Sequence, residues 1–488
     1  MNLFNQNNTY NYELEKLCRI FLPFEKIIFT EQPTESDVYA HTRLTKSDSR
    51  TELYSFLKFY TQTAEFVDFV ENDAEDYYKE CERVLAIQLF KCFVAVTGYV
   101  SPWGILTGVR PAKLYSALCK KGGKNYARSF FKEKFLVSDK KIELCEKTYE
   151  REGEITSQSE KDSFSLYVSI PFCPTRCSYC SFVSHSVEMA KKLIPEYLEK
   201  LIDEIVITAQ IARTNNLKLR SVYIGGGTPT TLSAEQLERL MKVISENFDI
   251  EGKEYTVEAG RPDTITEEKL RVIKENGATR ISINPQTMND EVLNVIGRKH
   301  TSDDTVNAFL LARKLGFDNI NMDLIAGLPS DTFESFCGTV ERVTALKPDS
   351  VTVHSLALKR ASNLNSENIP RFESGVTASK MVDFAYDFLS QHGITPYYMY
   401  RQSKTVGNNE NVGYATAFKE SFYNVYIMDE THTILACGAS AVTKLRQPGG
   451  SYIERIFNYK YPYEYINNFN EILSRKDRIT AFYDEYRI

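Results

Sequence analysis

The sequence lacks any apolar run long enough to span a membrane. Its most apolar helical stretch, residues 84–99, is interrupted by Gln88 and Lys91 and is shorter than the ~20 residues that a bilayer requires. The amino terminus also lacks the basic and then apolar plan of a secretion signal. The ten cysteines are therefore expected to be reduced thiols. These features predict a cytoplasmic protein without a membrane span.

The sequence also lacks a strong excess of charge of one sign. It has 59 basic and 65 acidic residues and a net charge of −6, so we expect no nucleic acid as its main partner. It has a single Trp beside 29 Phe and 30 Tyr, a composition that suits packed strands or a flat hydrophobic ligand. A length of 488 residues predicts several domains, each with its own core.

Three cysteines do lie close together, in one short loop. The stretch LYVSIPFCPTRCSYCSF, residues 166–182, separates Cys173, Cys177 and Cys180 by three and then two residues. Thiolates hold iron–sulfur clusters, and a cubane cluster normally takes four of them. Three would leave one iron open to a small molecule. A zinc site with His185 as its fourth ligand is the alternative.

Six apolar strands alternate with helices from residue 164 onwards. The strands read SLYVSI, SVYIGGG, EYTVEAG, TRISINPQ, NINMDLIAGLP and SVTVHSLAL. The alternation predicts parallel βαβ units, in a doubly wound sheet or a partial barrel. The barrel is favoured because polar or glycine residues fall at or just past the carboxyl ends of successive strands, where barrel active sites lie. These residues are Cys173, Gly225–Gly227, Glu258, Gln286, Asp323 and His354.

The flanking regions predict two smaller α+β domains. Residues 1–155 are expected to contain short strands near 26–29 and 38–44, helices at 53–69 and 77–97, and a polar linker from 149 to 163. The barrel is assigned to residues 156–358. Residues 359–488 are expected to form a small C-terminal α+β domain with three strands, PYYMYRQ, SFYNVYIMD and HTILACGAS.

These motifs resemble the radical S-adenosylmethionine (SAM) family of oxygen-independent coproporphyrinogen III oxidases, which also includes haem chaperones. C-x₃-C-x₂-C is the radical SAM signature, and IGGGTPT, TVEAG, NPQ…IGRKHT and MDLIAGLP follow in family order across residues 167–442. WGILTGVRPAKL, PYYMYRQ…ENVGYA and YIERIFNYKYPYEYI resemble the HemZ branch of that family. The resemblance implies an α/β fold, a partial (β/α)6 barrel of radical SAM type flanked by the two α+β domains.

The resemblance also implies cofactors and their contacts. Cys173, Cys177 and Cys180 would bind a [4Fe-4S] cluster whose open iron chelates SAM. Hydrogen-bond acceptors such as Glu258 suit the hydroxyls or the amine of SAM, and Arg298 can pair with its carboxylate. The glycines allow either close approach of the backbone to a ligand or a tight turn. The implied SAM contacts are Tyr167, Tyr179, Gly226, Gly227, Thr228, Glu258, Gln286, Arg298, Asp323, Ala357 and Val442.

The implied reaction is the oxidative decarboxylation of coproporphyrinogen III. A 5′-deoxyadenosyl radical from SAM would abstract hydrogen from a propionate, and loss of CO₂ and one electron would leave a vinyl group, towards protoporphyrinogen IX. A reduced flavodoxin or ferredoxin would be the electron donor. Four cations are expected near the substrate carboxylates: Lys359, Arg360, Arg401 and Lys404.

One departure from the family pattern leaves alternatives open. The best-known oxidases carry a further cysteine two positions after the third, where this sequence has Phe182. Haem chaperones of the same family also lack it. The main alternative is therefore a haem chaperone that binds haem through an axial histidine, with His185, His354 and His432 as candidates. A radical SAM enzyme that acts on RNA or on another macrocycle is the third hypothesis.

Overall fold

The computed structural model describes residues 1–23, 25–180, 185–357, 373–402 and 404–486. The chain divides into two compact units. The described residues of the first unit lie within 1–147, 366–382 and 400–410, and those of the second within 148–365, 383–399 and 411–488. The domain bounds expected from the sequence, 1–155, 156–358 and 359–488, remain a prediction.

The first unit is built on a five-stranded mixed sheet, ordered β2-β1-β3-β4-β5. Leu14 and Leu17 of α1 and Leu85 and Leu89 of α2 are fully buried with Leu53 of the sheet in one apolar core. The elements are β1 (Asn2–Gln6), α1 (Asn11–Phe21), β2 (Ile28–Thr30), β3 (Val38–Lys46), β4 (Arg50–Phe59), β5 (Gln62–Glu71), α2 (Tyr77–Thr97), α3 (Pro111–Ser129) and α4 (Asp139–Thr156), which continues into the second unit.

The helix expected at residues 53–69 is wrong, because this segment is the β4–β5 hairpin. Leu53 and Leu57 are fully buried, a spacing that suits a helix, and Ser55 between them hides the alternation of a strand. Ser55 is nevertheless buried, and its hydroxyl lies 3.0 Å from Gln88 Oε1. The chain reverses at Tyr60, which adopts a left-handed φ of 55°.

The second unit contains the barrel. Its elements up to the last barrel strand are β6 (Ser163–Ile170), β7 (Phe172–Cys173), β8 (His185–Ser186), α5 (Val187–Ala190), α6 (Ile194–Thr214), β9 (Lys218–Gly226), α7 (Ala234–Asn247), β10 (Glu254–Gly260), α8 (Glu267–Glu275), β11 (Arg280–Ile283), α9 (Asp290–Val295), α10 (Ser302–Lys314), β12 (Ile320–Ala326), α11 (Phe333–Ala345) and β13 (Ser350–Ser355). After residue 372 come α12 (Glu373–Gln391), β14 (Thr395–Arg401), β15 (Glu410–Ala415), α13 (Phe422–Asp429), β16 (Thr433–Cys437), β17 (Val442–Arg446), β18 (Ile453–Phe457), α14 (Pro462–Asn467) and α15 (Phe469–Tyr486).

The six predicted barrel strands are confirmed as one parallel sheet. Strands β6, β9, β10, β11, β12 and β13 are neighbours in that order and all run parallel. Their residues are buried along most of each strand, as expected where helices cover a parallel sheet. Later strands extend the same sheet at both edges, with β16 parallel to β6 and β15 antiparallel to β13.

Side-chain caps fix the start of five barrel helices. Each capping oxygen accepts a hydrogen bond from a backbone amide of its helix, which satisfies an otherwise unpaired donor. The capping residues of α7, α8, α9, α10 and α11 are Ser233, Thr266, Asn289, Thr301 and Thr332.

Two further local predictions are wrong. SFYNVYIMD, predicted as a strand, forms α13, because the half-buried Glu254 carboxylate accepts hydrogen bonds from the Phe422 amide and the Ser421 hydroxyl at the helix start. The first half of the expected linker at 149–163 is helical, since α4 reaches Thr156 and buries Ile155. Among the described helices, none combines the length and apolar character that a bilayer crossing requires.

Candidate functional site

The predicted rim residues lie on adjacent strands of the parallel sheet. Cys173 follows β6, Gly226 ends β9, Glu258 lies near the end of β10, and Asp323 lies in β12. Gln286 follows β11 and is joined to β12 by a bridge to Leu324. Because parallel strands present their carboxyl ends at one edge, the sheet brings these residues to the same rim.

The backbone of the glycine turn anchors the start of the cysteine loop. Gly227 N donates to Ile170 O at 2.8 Å, and Thr228 N donates to Phe172 O at 2.7 Å. A Cβ on Gly227 would lie 2.6 Å from Phe172 O, so only glycine fits this approach. The Thr228 hydroxyl also lies 3.5 Å from Cys173 Sγ. The glycine turn therefore holds the loop, in addition to any role it has towards a ligand.

Two buried arginines contact the middle of the cysteine loop. The Arg298 side chain lies beside Tyr179 and Cys177, as the family resemblance implies for a shared pocket. Arg261 follows β10 and its Nη1 lies 3.8 Å from Cys177 Sγ. The sequence analysis missed Arg261, because nothing in the local pattern GRPD indicates a contact with a loop more than 80 residues away.

Three tyrosine rings stack beside Glu258. Tyr167 and Tyr223 are partners on β6 and β9 with ring centroids 6.3 Å apart, and Tyr423 of α13 lies 4.4 Å from Tyr223. The Tyr223 hydroxyl donates to Glu258 Oε1. Burial raises the pKa of Glu258 to about 7, and the nearby Asp323 adds to this rise. Glu258 can therefore gain or lose a proton near neutral pH.

Asp323, in contrast, is held in its ionised form. Burial opposes ionisation, but the neighbouring His354, Asn321 and Thr352 side chains outweigh it and lower the pKa of Asp323. Asn321 Nδ2 lies 2.7 Å from Asp323 Oδ1 and His354 Nε2 lies 3.9 Å from Asp323 Oδ2. Gln286 N donates to the Asp323 carbonyl at 2.9 Å. The rim thus places one permanent acceptor close to one titratable carboxyl.

Two of the predicted SAM contacts, Ala357 and Val442, lie nearer the edges of the sheet. Ala357 follows β13, and Val442 is the first residue of β17, where it pairs with Phe457. Strand β17 is separated from β6 by β16 alone. Among the described contacts, none joins either residue to the rest of the set, so their assignment to the SAM pocket stays a prediction.

The residues present fit a cluster and a polar cofactor. Gln286 Oε1 and Arg298 Nε are buried without a hydrogen-bond partner among the described residues, and such atoms usually have one. No three His, Cys, Asp or Glu side chains in the described ranges gather around a point as the ligands of one metal ion would. A cluster does not need that arrangement, since each cysteine binds a different iron of the cube.

The structure changes the list of residues expected to meet a porphyrin. Both ring nitrogens of the buried His432 are engaged, by the hydroxyls of Ser159 and Ser165 at 2.7 and 2.8 Å, so His432 is wrong as an axial ligand. Arg401 is wrong as a substrate cation, because it is buried and donates to backbone carbonyls, including that of Leu106 at 2.6 Å. Lys404 is exposed, whereas Phe182, Lys359 and Arg360 lie outside the described residues.

An open parallel barrel with a three-cysteine loop at the carboxyl ends of its strands is the architecture of a radical SAM protein. Comparison with known proteins supports the same class. The model of the Radical SAM superfamily matches residues 167–343. The oxygen-independent coproporphyrinogen-III oxidase-like protein HemZ of Bacillus subtilis is 37% identical over 415 residues, which cover 84% of this chain and 82% of HemZ.

Two other proteins show the wider group. The heme chaperone HemW of Bacillus subtilis is 32% identical over 61% of this chain and 77% of HemW. The solved structure of coproporphyrinogen III oxidase HemN from Escherichia coli, described as a radical SAM enzyme, is 25% identical and superposes with a TM-score of 0.53, covering 65% of this chain and 71% of HemN. The chain therefore belongs to the radical SAM superfamily, in the group of HemZ, HemW and HemN. Members of this superfamily use a [4Fe-4S] cluster and SAM.

Proposed function

We propose that the protein is a radical SAM enzyme of haem biosynthesis that converts the propionates of coproporphyrinogen III to vinyl groups. The observation that carries the proposal is the similarity to HemZ along 84% of the chain. That similarity extends well beyond the barrel that radical SAM proteins in general share. HemN, a structural relative, is itself a coproporphyrinogen III oxidase.

The site residues take distinct roles in this proposal. Cys173, Cys177 and Cys180 hold the cluster, and the other predicted contacts bind SAM. With both groups in place, the site supplies one-electron reductive cleavage of SAM. Asp323 stays ionised and accepts hydrogen bonds, while Glu258 exchanges a proton near neutral pH.

The partners of this reaction follow from its chemistry. The cluster needs an electron for each turnover, so a low-potential donor such as reduced flavodoxin or ferredoxin is part of the proposal. The substrate is a flat, polyanionic macrocycle, for which exposed cations are suitable contacts. A cytoplasmic location agrees with reduced thiols in the cysteine loop.

The second candidate function is that of a haem chaperone. The similarity to HemW favours it, and so does one observation on the histidines. His185 Nε2 is buried without a hydrogen-bond partner among the described residues, whereas His354 lies against Asp323 and His432 binds two serines. His185 pairs with Phe172 beside the cysteine loop. In a haem titration, H185A should then weaken binding at least tenfold and H432A should not.

An anaerobic assay separates the two functions. Reconstituted protein is supplied with SAM, a reductant and coproporphyrinogen III, and the porphyrinogen products and 5′-deoxyadenosine are measured. Protoporphyrinogen with 5′-deoxyadenosine supports the oxidase. Deoxyadenosine alone points to another substrate, and stoichiometric haem binding with transfer to an acceptor points to the chaperone.

Cysteine variants test the ligand assignment in the same protein. C177A should lose both the iron and the cleavage of SAM, because a cubane cluster needs its thiolate ligands. C337A is the matched control, since Cys337 lies on α11, away from the loop, and should keep both. Retention of the cluster in C177A would contradict the proposal.

A further inference from the structure

Arg261 is a buried arginine whose donors are divided between two targets. Its side chain is 3% exposed. On one side, Nε and Nη2 lie 2.9 and 2.7 Å from the two carboxylate oxygens of Asp263. On the other side, Nη1 lies 3.0 Å from Thr175 Oγ1, 3.4 Å from Thr175 O and 3.8 Å from Cys177 Sγ. The guanidinium thus joins the end of β10 to the cysteine loop.

The surroundings of Arg261 carry an excess of positive charge. Arg298 is also buried and contacts Cys177, so two guanidinium groups approach one sulfur. Asp263 forms an ion pair with Arg261, with 2.7 Å between Nη2 and Oδ2. His300 lies nearby, where burial and the two arginines lower its pKa to about 4 and keep it neutral.

This excess suits an anionic group at Cys177. A buried cation is costly unless it is paired, and the single negative charge of Asp263 balances only one of the two guanidinium groups. A cluster held by three thiolates would supply the missing negative charge. Hydrogen bonds to its sulfurs and positive charge nearby favour the reduced state, which carries one more electron.

We propose that Arg261 is a positioning residue of the iron–sulfur site, which fixes the cysteine loop through Thr175 and raises the reduction potential of the cluster through an N–H···S hydrogen bond to Cys177. The inference rests on the proposed function, because it requires the cluster. It adds to that function a residue outside the predicted set, with an effect on the cluster that can be measured without substrate.

The test is a redox titration of the reconstituted full chain, monitored by electron paramagnetic resonance without SAM. R261Q removes the charge and the guanidinium Nη1 that reaches Cys177. It should make reduction at least tenfold less favourable, which for one electron is a downward shift of about 59 mV. R261K keeps the charge but loses the planar guanidinium group that reaches both Thr175 and Cys177. The reduction potential of its cluster should therefore lie between those of R261Q and the wild type.

R271Q is the matched control. Arg271 lies on α8 in the same part of the barrel, but it is exposed and pairs with Glu267 on its own helix. Its loss removes the same charge and should leave the potential unchanged. Iron content and thermal unfolding are measured for every variant, so that potentials are compared at equal cluster occupancy.

The outcomes separate this inference from the proposed function. If the wild type binds no cluster, both fail. If R261Q binds a full cluster with the wild-type potential, the inference on Arg261 is overturned while the proposed function stands. If R261Q does not retain a cluster, the test depends on R261K. A cluster in R261K with the wild-type potential and signal would overturn the inference, and a lowered potential would support it.

Discussion

The glycine turn offers a sharp test of how the cysteine loop is held. G227A would place a Cβ 2.6 Å from Phe172 O and 2.9 Å from both Ile170 O and Phe172 N. All three atoms belong to the backbone, so no side chain can move aside. The strand end or the loop must shift, and the hydrogen bonds of Gly227 and Thr228 to Ile170 and Phe172 would lengthen or break.

The expected cost of G227A follows from these contacts. Overpacking of a buried site costs about 1–3 kcal/mol, and each backbone hydrogen bond contributes about 0.5–1.5 kcal/mol. We therefore expect a loss of roughly 2–4 kcal/mol in the free energy of unfolding. Because Cys173 moves with Phe172, the iron content after reconstitution should fall as well.

The assay compares G227A with a matched glycine variant. Thermal unfolding and iron content are measured anaerobically for both proteins. Gly338 lies inside α11, and a Cβ at this position would meet no atom of a neighbouring segment within 4 Å. G338A should therefore be neutral or stabilising, by up to about 1 kcal/mol. If G227A matches the wild type in both iron content and unfolding temperature, the described docking of the loop is refuted.

Two further predictions concern buried carboxyl groups. Folding raises the pKa of Glu258 from 4.5 to about 7. The protonated Glu258 therefore contributes fully to the free energy of unfolding below pH 4.5, and this contribution is lost as the pH rises through 7. E258Q should therefore gain stability relative to the wild type over that range in urea unfolding, and a constant difference would contradict the raised pKa. In the first unit, Lys141 Nζ lies 2.5 Å from Glu410 Oε1 and both side chains are 2% exposed. K141M should lose about 3–5 kcal/mol because it leaves a buried carboxylate without its cation, whereas K132M, which removes an exposed pair, should change stability by less than about 1 kcal/mol.

The barrel and its rim could be predicted from the sequence because their signals are local. Each strand is a short apolar run, and the position of a polar residue at its end places that residue on a shared edge. The cysteine spacing is likewise contained in one short stretch. Cys173, Glu258 and Asp323 could therefore be assigned to one rim without knowledge of any distant contact.

The features that could not be predicted depend on contacts between distant residues. Ser55 is buried in a strand because Gln88 of α2 meets it, and α13 is a helix because Glu254 caps its first turn. Arg261 reaches Cys177 only once β10 lies beside the cysteine loop. In each case a polar side chain meets its partner only in the tertiary fold, so the local sequence propensities do not predict the contact.

The pairing of β16 with β6 has a consequence for synthesis of the chain. About 260 residues lie between the end of β6 and the start of β16, and a ribosome needs roughly 13–52 s to add them at ~5–20 residues per second. During that interval the edge of β6 that later binds β16 has unpaired backbone groups, with which a strand of another chain can pair. We therefore expect this edge of a nascent chain to stay open to aggregation until residue 433 emerges, and a chaperone that covers it should reduce aggregation in that interval.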